Sequence, residues 1–169
     1  MTKEKILAEA TLCFFIRGEE VLLAKKLRKI GVGCWNGYGG GIKQKDKDLT
    51  AAAIRECREE CGVKITRENM KKVSIMDFHI ITSDNKKFVC RVHIFLVTKW
   101  KGNPRETEEM SQPTWFKITD LPLKEMMPAD PFWIPQALCG AIFTGKASYG
   151  PYQKQLVKPV VLHLVDRLS

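Results

Sequence analysis

The chain has 169 residues, 44% of them apolar, which is enough to bury the core of one compact domain. Its formal net charge of +9 favours an anionic partner, whether a nucleotide, a nucleic acid or a membrane surface, and does not choose among them. No long apolar run opens the chain, and the six cysteines show neither a C-x-x-C pair nor zinc-site spacing. We therefore expect a cytoplasmic protein without a signal peptide, a membrane span or a zinc site.

The first part of the chain predicts two strands, a glycine-rich loop and a helix. Apolar runs predict strands at Ala8–Ile16 and Glu20–Lys26. Six glycines in residues 31–41 predict a loop that can shape itself around a ligand, because glycine permits positive φ and close backbone approach. Asp48 is a suitable N-cap for a helix that runs to Cys61 and ends at the following glycine.

The second part of the chain predicts further strands and one more helix. The predicted elements are strands at Lys71–Ile81 and Phe88–Lys99, a short strand at Thr114–Ile118, a helix at Phe132–Thr144, and two strands within Tyr149–Asp166 on either side of Lys158-Pro159. Strands interleaved with two helices indicate a mixed sheet covered on both faces.

Acidic side chains cluster near the end of the first helix. At about 100° per residue, Glu56, Glu59 and Glu60 fall within an arc of roughly 100° on one face. Carboxylates this close raise each other's pKa, and a hard cation such as Mg²⁺ compensates for the repulsion. A solvated acidic face explains three glutamates equally well. The glycine run at residues 39–41 favours the cation site, because it brings bare backbone up to the same helix.

Residues 55–63, RECREECGV, match the second half of the Nudix box, G-x5-E-x7-R-E-U-x-E-E-x-G-U, at every charged and glycine position. The chain thus resembles the Nudix hydrolases. The first half of the box departs from the pattern: counting back from Arg55 places Lys47 at the box glutamate, whereas counting forward from Gly40 places Asp46 there with one extra residue. We favour Asp46, since a loop accommodates an insertion at low cost and Lys47 would repel Arg55.

The resemblance implies a fold and a reaction. The fold is an α/β/α sandwich with a mixed sheet, formed as a single domain by residues 1–169. The reaction is hydrolysis of a nucleoside triphosphate to a monophosphate and pyrophosphate, with Mg²⁺ as cofactor and Mn²⁺ as the alternative. The implied catalytic residues are Glu56, which accepts a proton from water, and Arg55. The implied metal ligands are Gly39 (through its carbonyl), Glu56, Glu59, Glu60 and Glu109.

Further motifs resemble those of the MutT-type, oxidised-purine nucleoside triphosphatases of animals. Residues 35–40 (WNGYGG) correspond to W-N-G-F-G-G, residues 108–110 (EEM) to D-E-M, and residues 127–133 (MPADPFW) to W-P-D-D-x-x-W. In this resemblance Lys26 holds phosphate oxygens, and Asn36 and Asp130 read the base edge. The full set of implied substrate-binding residues is Thr11, Lys26, Asn36, Tyr38, Gly39, Gly40, Met127, Asp130 and Trp133.

The chain departs from that pattern in the base pocket. Met127 replaces the stacking tryptophan, Ala129 the first aspartate, and Ile30 an aromatic residue. Without a neighbouring carboxylate, we expect Asp130 to be ionised near neutral pH and to accept hydrogen bonds only. This expectation favours guanine-type bases, oxidised or not, over oxidised adenine.

Alternatives remain for several residues and for the function. Asn36 can simply stabilise the glycine turn, Asp130 can cap a helix, and Trp133 and Phe78 are typical core residues. A nucleotide-binding regulator without turnover is one alternative function, and an RNA-end pyrophosphohydrolase, suggested by the charge, is another. We expect a monomer that binds a nucleoside triphosphate and neither nucleic acid nor membrane.

Overall fold

A computed structural model describes residues 4–169; residues 1–3, part of the segment expected to carry no signal peptide, lie outside them. The strands are β1 (Glu9–Arg17), β2 (Glu20–Lys26), β3 (Trp35–Asn36), β4 (Tyr38–Gly41), β5 (Met70–Ile81), β6 (Lys87–Val97), β7 (Met110–Lys117), β8 (Phe143–Tyr149) and β9 (Leu156–Leu164). The α-helices are α1 (Leu49–Cys61) and α2 (Asp130–Leu138).

The nine strands within residues 4–169 form one mixed sheet in the order β3-β2-β1-β6-β5-β8-β9, with β4 paired to β1 and β7 paired to β2. The pairs β1–β6 and β5–β8 are parallel. The remaining pairs are antiparallel, as in β1–β4, where Thr11 lies opposite Gly40. The mixed sheet expected from the sequence is confirmed.

The two helices cover opposite faces of the sheet. Along β1, Phe14 packs in the apolar cluster that contains Trp133 and Ile134 of α2. Phe15 packs in a second cluster that contains Cys57 of α1. Successive side chains of a strand point to opposite faces, so this alternation places one helix on each side. The α/β/α sandwich is confirmed.

Helix α1 has the ends that the sequence predicts. The Asp48 side chain accepts a hydrogen bond of 2.8 Å from the backbone N–H of Ala51. Gly62 adopts φ 78°, and its N–H donates to the carbonyl of Arg58. Both contacts satisfy backbone groups that a helix end leaves without partners.

The structure corrects four expectations. The glycine-rich loop contains the two short strands β3 and β4. Strand β7 begins at Met110 rather than Thr114. Helix α2 ends at Leu138 because Gly140 follows with φ 81°, a stop signal that leaves residues 143–144 to β8. One strand, β9, replaces the two expected after residue 149. It accommodates Pro159 because it is an edge strand whose register shifts there.

All six cysteines are free thiols. Within residues 4–169, no helix is long and apolar enough to cross a membrane.

Candidate active site

The glycines of β4 allow α1 to bring two carboxylates against the sheet. Glu60 is buried, and its Oε1 accepts a hydrogen bond of 3.0 Å from the backbone N–H of Gly39. Glu56 is also buried, and a Cβ on Gly40 would lie 2.7 Å from its carboxyl carbon. A side chain at position 40 would therefore displace the Glu56 carboxylate. The third glutamate of the helix face, Glu59, is exposed.

Arg55 connects the loop before α1 to these carboxylates. Its Nε and Nη2 donate hydrogen bonds of 2.8 and 2.7 Å to Asp46, and its Nη1 donates to Glu56 at 2.8 Å and to Glu59 at 3.2 Å. The hydrogen bonds from Arg55 lower the pKa of Asp46 to about 2. Arg55 therefore pairs with Asp46 and not with Lys47. This pairing agrees with the register in which Asp46 takes the place of the box glutamate.

The electrostatics around Glu60 favour a cation. Burial raises the pKa of Glu60 to about 8, and the negative charges of Glu56 and Glu109 add to the effect. The positive charge of Lys26 and the N–H of Gly39 act in the opposite direction. Lys26 is partly buried, and desolvation lowers the pKa of its ammonium group. Two buried carboxylates whose charges repel fit a hard divalent cation, which takes oxygen ligands.

The five expected metal ligands do not form a preformed site. Among residues 4–169, no three His, Cys, Asp or Glu side chains come together as a metal-binding group. Arg55 hydrogen-bonds Glu56 and Glu59, while Glu109 lies 3.7 Å from the ammonium of Lys29. Only Glu56 and Glu60 combine burial with contact to the glycine strand.

Two adjoining cavities flank the glycine strand. The smaller, about 50 Å³, is lined by carboxylates and basic residues: Glu60, Glu109, Lys5, Lys26, Arg28 and Lys29. The larger, about 160 Å³, is lined mainly by apolar side chains from β1, β5, β6 and α2. Both cavities include Lys26, Gly39 and Gly40 in their walls. One ligand with a charged end and a flat apolar end can therefore occupy both.

Most of the expected substrate-binding residues line the larger cavity. These residues are Thr11, Lys26, Asn36, Gly39, Gly40, Met127, Asp130 and Trp133. The Oγ1 of Thr11 is buried and has no hydrogen-bond partner among residues 4–169. Asn36 also stabilises the glycine turn, because its Oδ1 accepts a hydrogen bond of 2.8 Å from the N–H of Gly37.

The expectation for Tyr38 is wrong. Its side chain is fully buried in the cluster beneath α1, where its ring makes an edge contact with Phe15 at 5.6 Å. It lines neither of the two cavities at the glycine strand. Tyr38 directly precedes Gly39 in β4, so its side chain points to the opposite face from the apolar cavity.

The expected ionisation of Asp130 holds only above about pH 7. Its carboxyl group is buried, which raises its pKa to about 7 although no second carboxylate stands at position 129. Asp130 Oδ2 accepts a hydrogen bond of 3.1 Å from the N–H of Met127, and Oδ1 accepts one of 3.2 Å from Nε1 of Trp133. Desolvation, rather than a neighbouring carboxylate at position 129, is therefore the reason that Asp130 retains a proton below about pH 7.

Phe78 and Tyr149 line the apolar cavity, although composition favours the core for Phe78 and nothing in the sequence singles out Tyr149. The two rings stack with centroids 6.0 Å apart and an interplanar angle of 18°. In the parallel pair β5–β8, Tyr149 lies opposite Ile80, two residues beyond Phe78. The pairing of two strands so far apart in the chain cannot be predicted from local sequence spacing.

A groove of about 260 Å³ lies across β5, β6, β8 and β9 and shares Ile80 and Tyr149 with the apolar cavity. It is larger than either cavity at the glycine strand, and Lys87, Lys146 and Lys158 contribute to its walls. None of the expected site residues lines it, so volume alone does not mark the active site.

Residues 7–137 match the NUDIX domain family. The chain belongs to the Nudix family. It is 35% identical over 159 residues to an oxidized purine nucleoside triphosphate hydrolase of Danio rerio, covering 94% of each chain. It is 34% identical over 135 residues to the protein of the same name in Mus musculus, covering 80% of this chain and 82% of the relative.

Solved structures share the fold of this chain. A MutT protein of Bacillus halodurans superimposes with a TM-score of 0.74 at 24% identity, covering 92% of this chain and 97% of that one. A MutT Nudix hydrolase of Burkholderia pseudomallei has a TM-score of 0.57 at 27% identity, covering 70% and 88%. The family match and the two relatives indicate a Nudix enzyme that acts on phosphoric anhydrides.

Proposed function

We propose that this Nudix enzyme hydrolyses oxidised purine nucleoside triphosphates, such as 8-oxo-dGTP, to the monophosphate and pyrophosphate. The observation that carries the proposal is the pair of adjoining cavities: an apolar one lined by Met127, Trp133 and Phe78, and a charged one lined by Glu60 and Lys26. The apolar walls of the first suit a purine base, and the basic residues of the second suit phosphate groups. The names of the mouse and zebrafish relatives support the same substrate class.

The residues that would hold Mg²⁺, or Mn²⁺ in its place, are Glu56, Glu59, Glu60, Glu109 and the Gly39 carbonyl. Bound there, the cation would neutralise phosphate charge and lower the pKa of a water molecule. Glu56 would accept a proton from the attacking water. Arg55 keeps the Glu56 carboxylate oriented through the hydrogen bond at 2.8 Å. The close approach of Gly40 keeps the same carboxylate against the glycine strand.

Other residues position the nucleotide. Lys26, in the wall of both cavities, pairs with phosphate oxygens and so links the two halves of the ligand. Asn36 and Asp130 hydrogen-bond the base edge, and Met127 and Trp133 contact its faces. Thr11 supplies a buried hydroxyl that a ligand can satisfy.

We also propose the remaining features of the enzyme. Residues 1–169 form a single domain, which acts as a monomer in the cytoplasm. Its substrate is a free nucleotide rather than RNA, because the basic residues Lys5, Lys26, Arg28 and Lys29 share a cavity of only about 50 Å³ with Glu60 and Glu109.

A panel of nucleoside triphosphates tests this function. With Mg²⁺ present, kcat/KM should be highest for oxidised purines, lower for dGTP and lowest for pyrimidines. Glu56→Gln serves as the control for contaminating phosphatases and should lose the activity. Equal rates for purines and pyrimidines would contradict the substrate class, since the apolar cavity would then not read the base.

A further inference from the structure

Tyr149 lines the apolar cavity and lies near Asp130. The residue lies at the end of β8 and is buried, and its ring is fixed by stacking on Phe78. Its hydroxyl oxygen accepts a hydrogen bond of 3.0 Å from the backbone N–H of Ala129. Ala129 has no polar side chain that could compete for this hydroxyl.

The hydrogen-bonding capacity of the Tyr149 hydroxyl is only half used. A phenol has one donor and also accepts hydrogen bonds. Within residues 4–169, the hydroxyl hydrogen-bonds to Ala129. In this bond the hydroxyl oxygen is the acceptor. The O–H proton therefore remains available to a ligand. Burial raises the pKa of Tyr149, and the charge of Asp130 raises it further, so the phenol keeps its proton at neutral pH.

Asp130 supplies the complementary function. Each of its carboxyl oxygens already accepts one hydrogen bond, and a carboxylate oxygen can accept a second. The cavity thus offers an acceptor at Asp130 and a donor at Tyr149. The Watson–Crick edge of a guanine-type base presents N–H donors at N1 and the amino group and one acceptor, O6, next to them.

We propose that Tyr149 is a specificity-determining residue whose O–H donates to O6 of a guanine-type base while Asp130 accepts from its N–H groups. The proposal rests on the proposed function, because it assigns the base edge of the same substrate. A buried donor discriminates strongly, since a base without the matching acceptor leaves it without a partner.

Tyr149→Phe removes the hydroxyl and keeps the ring that stacks on Phe78. For 8-oxo-dGTP, kcat/KM should fall about tenfold, mainly through KM. For deoxyinosine triphosphate, which keeps O6 and lacks the amino group, the loss should be similar. For 2-aminopurine deoxynucleoside triphosphate, which lacks O6, the loss of kcat/KM should be less than about twofold. An equal loss on all three substrates, or no loss on 8-oxo-dGTP, would overturn the proposal.

Tyr38→Phe is the matched control. It deletes the same group from a buried tyrosine whose hydroxyl has no partner among residues 4–169 and which lines neither cavity at the glycine strand. It should leave the ratios between the three substrates unchanged. The dissociation constant of 8-oxo-dGMP gives a readout independent of turnover and should rise about tenfold in Tyr149→Phe. If wild type does not hydrolyse 8-oxo-dGTP but the two proteins still differ in their affinity for 8-oxo-dGMP, the result contradicts the proposed function and not the role of Tyr149.

Discussion

Asp46 and Arg55 form a two-point hydrogen-bonded ion pair, with N–O distances of 2.8 and 2.7 Å. The Asp46 side chain is only 4% exposed, so the pair fixes the loop before α1 to the helix. The third nitrogen of Arg55 contacts Glu56. The pair therefore transmits the position of the loop to the carboxylate that we propose as the proton acceptor.

Removal of this pair should damage catalysis. Asp46→Ala frees Arg55 to bind Glu56 and Glu59 more tightly, which withholds both carboxylates from a cation. We expect kcat/KM to fall by at least about tenfold, or ~1.4 kcal/mol in transition-state stabilisation. Lys47→Ala is the control and should change it less than about twofold. Similar small effects of both variants would show that Arg55 is positioned by other contacts.

Glu60→Gln tests the cation site. The amide is isosteric but carries no charge, so turnover should fall by at least about a hundredfold. Because burial already disfavours the charged form of Glu60, the variant without divalent cation should be at least as stable as wild type. Its melting temperature should also rise less on addition of Mg²⁺. Near-normal turnover together with a normal Mg²⁺ shift would rule out Glu60 as a ligand.

Gly40→Ala tests the close approach between β4 and α1. The added methyl would lie 2.7 Å from the Glu56 carboxyl group, and one of the two must move. We expect kcat to fall about tenfold or more and unfolding to become easier by about 1–3 kcal/mol. Gly150→Ala is a suitable control for stability, because its Cβ would meet Val157 at an ordinary 3.4 Å. Full activity in Gly40→Ala would mean that the Glu56 carboxylate is not held at this position.

The pKa of Asp130 predicts a pH-dependent choice of base. Below its pKa of about 7 the carboxyl group is protonated and can donate, and above it the carboxylate only accepts. A guanine-type base presents an N–H at position 1, whereas an adenine-type base can require a donor there. The ratio of kcat/KM for 8-oxo-dGTP to that for 2-hydroxy-dATP should therefore rise from about pH 6 to about pH 8. Groups shared by both substrates cancel in this ratio. A ratio independent of pH would show that Asp130 does not titrate against the base.

The elements with local signals could be predicted from the sequence. Asp48 and Gly62 mark the two ends of α1, and the spacing of its glutamates places them on one face. The pairing of Arg55 with Asp46 could also be predicted, because Lys47 would repel the positive charge of Arg55. These features depend on residues close together in the chain.

The features that depend on distant pairing could not be predicted. Tyr38 falls within a substrate-binding motif, yet the pleat of β4 directs its side chain beneath α1. The raised pKa of Asp130 comes from burial by elements far along the chain, not from its sequence neighbours. Tyr149 reaches the cavity only because β8 lies parallel to β5.

The most direct test of the account is the identity of the products from 8-oxo-dGTP in the presence of Mg²⁺. Resolved by anion exchange and phosphorus NMR, the products should be 8-oxo-dGMP and pyrophosphate in equal amounts. The rate should depend on the divalent cation and be lost in Glu56→Gln. Release of orthophosphate with 8-oxo-dGDP, or no turnover of any purine triphosphate, would contradict it.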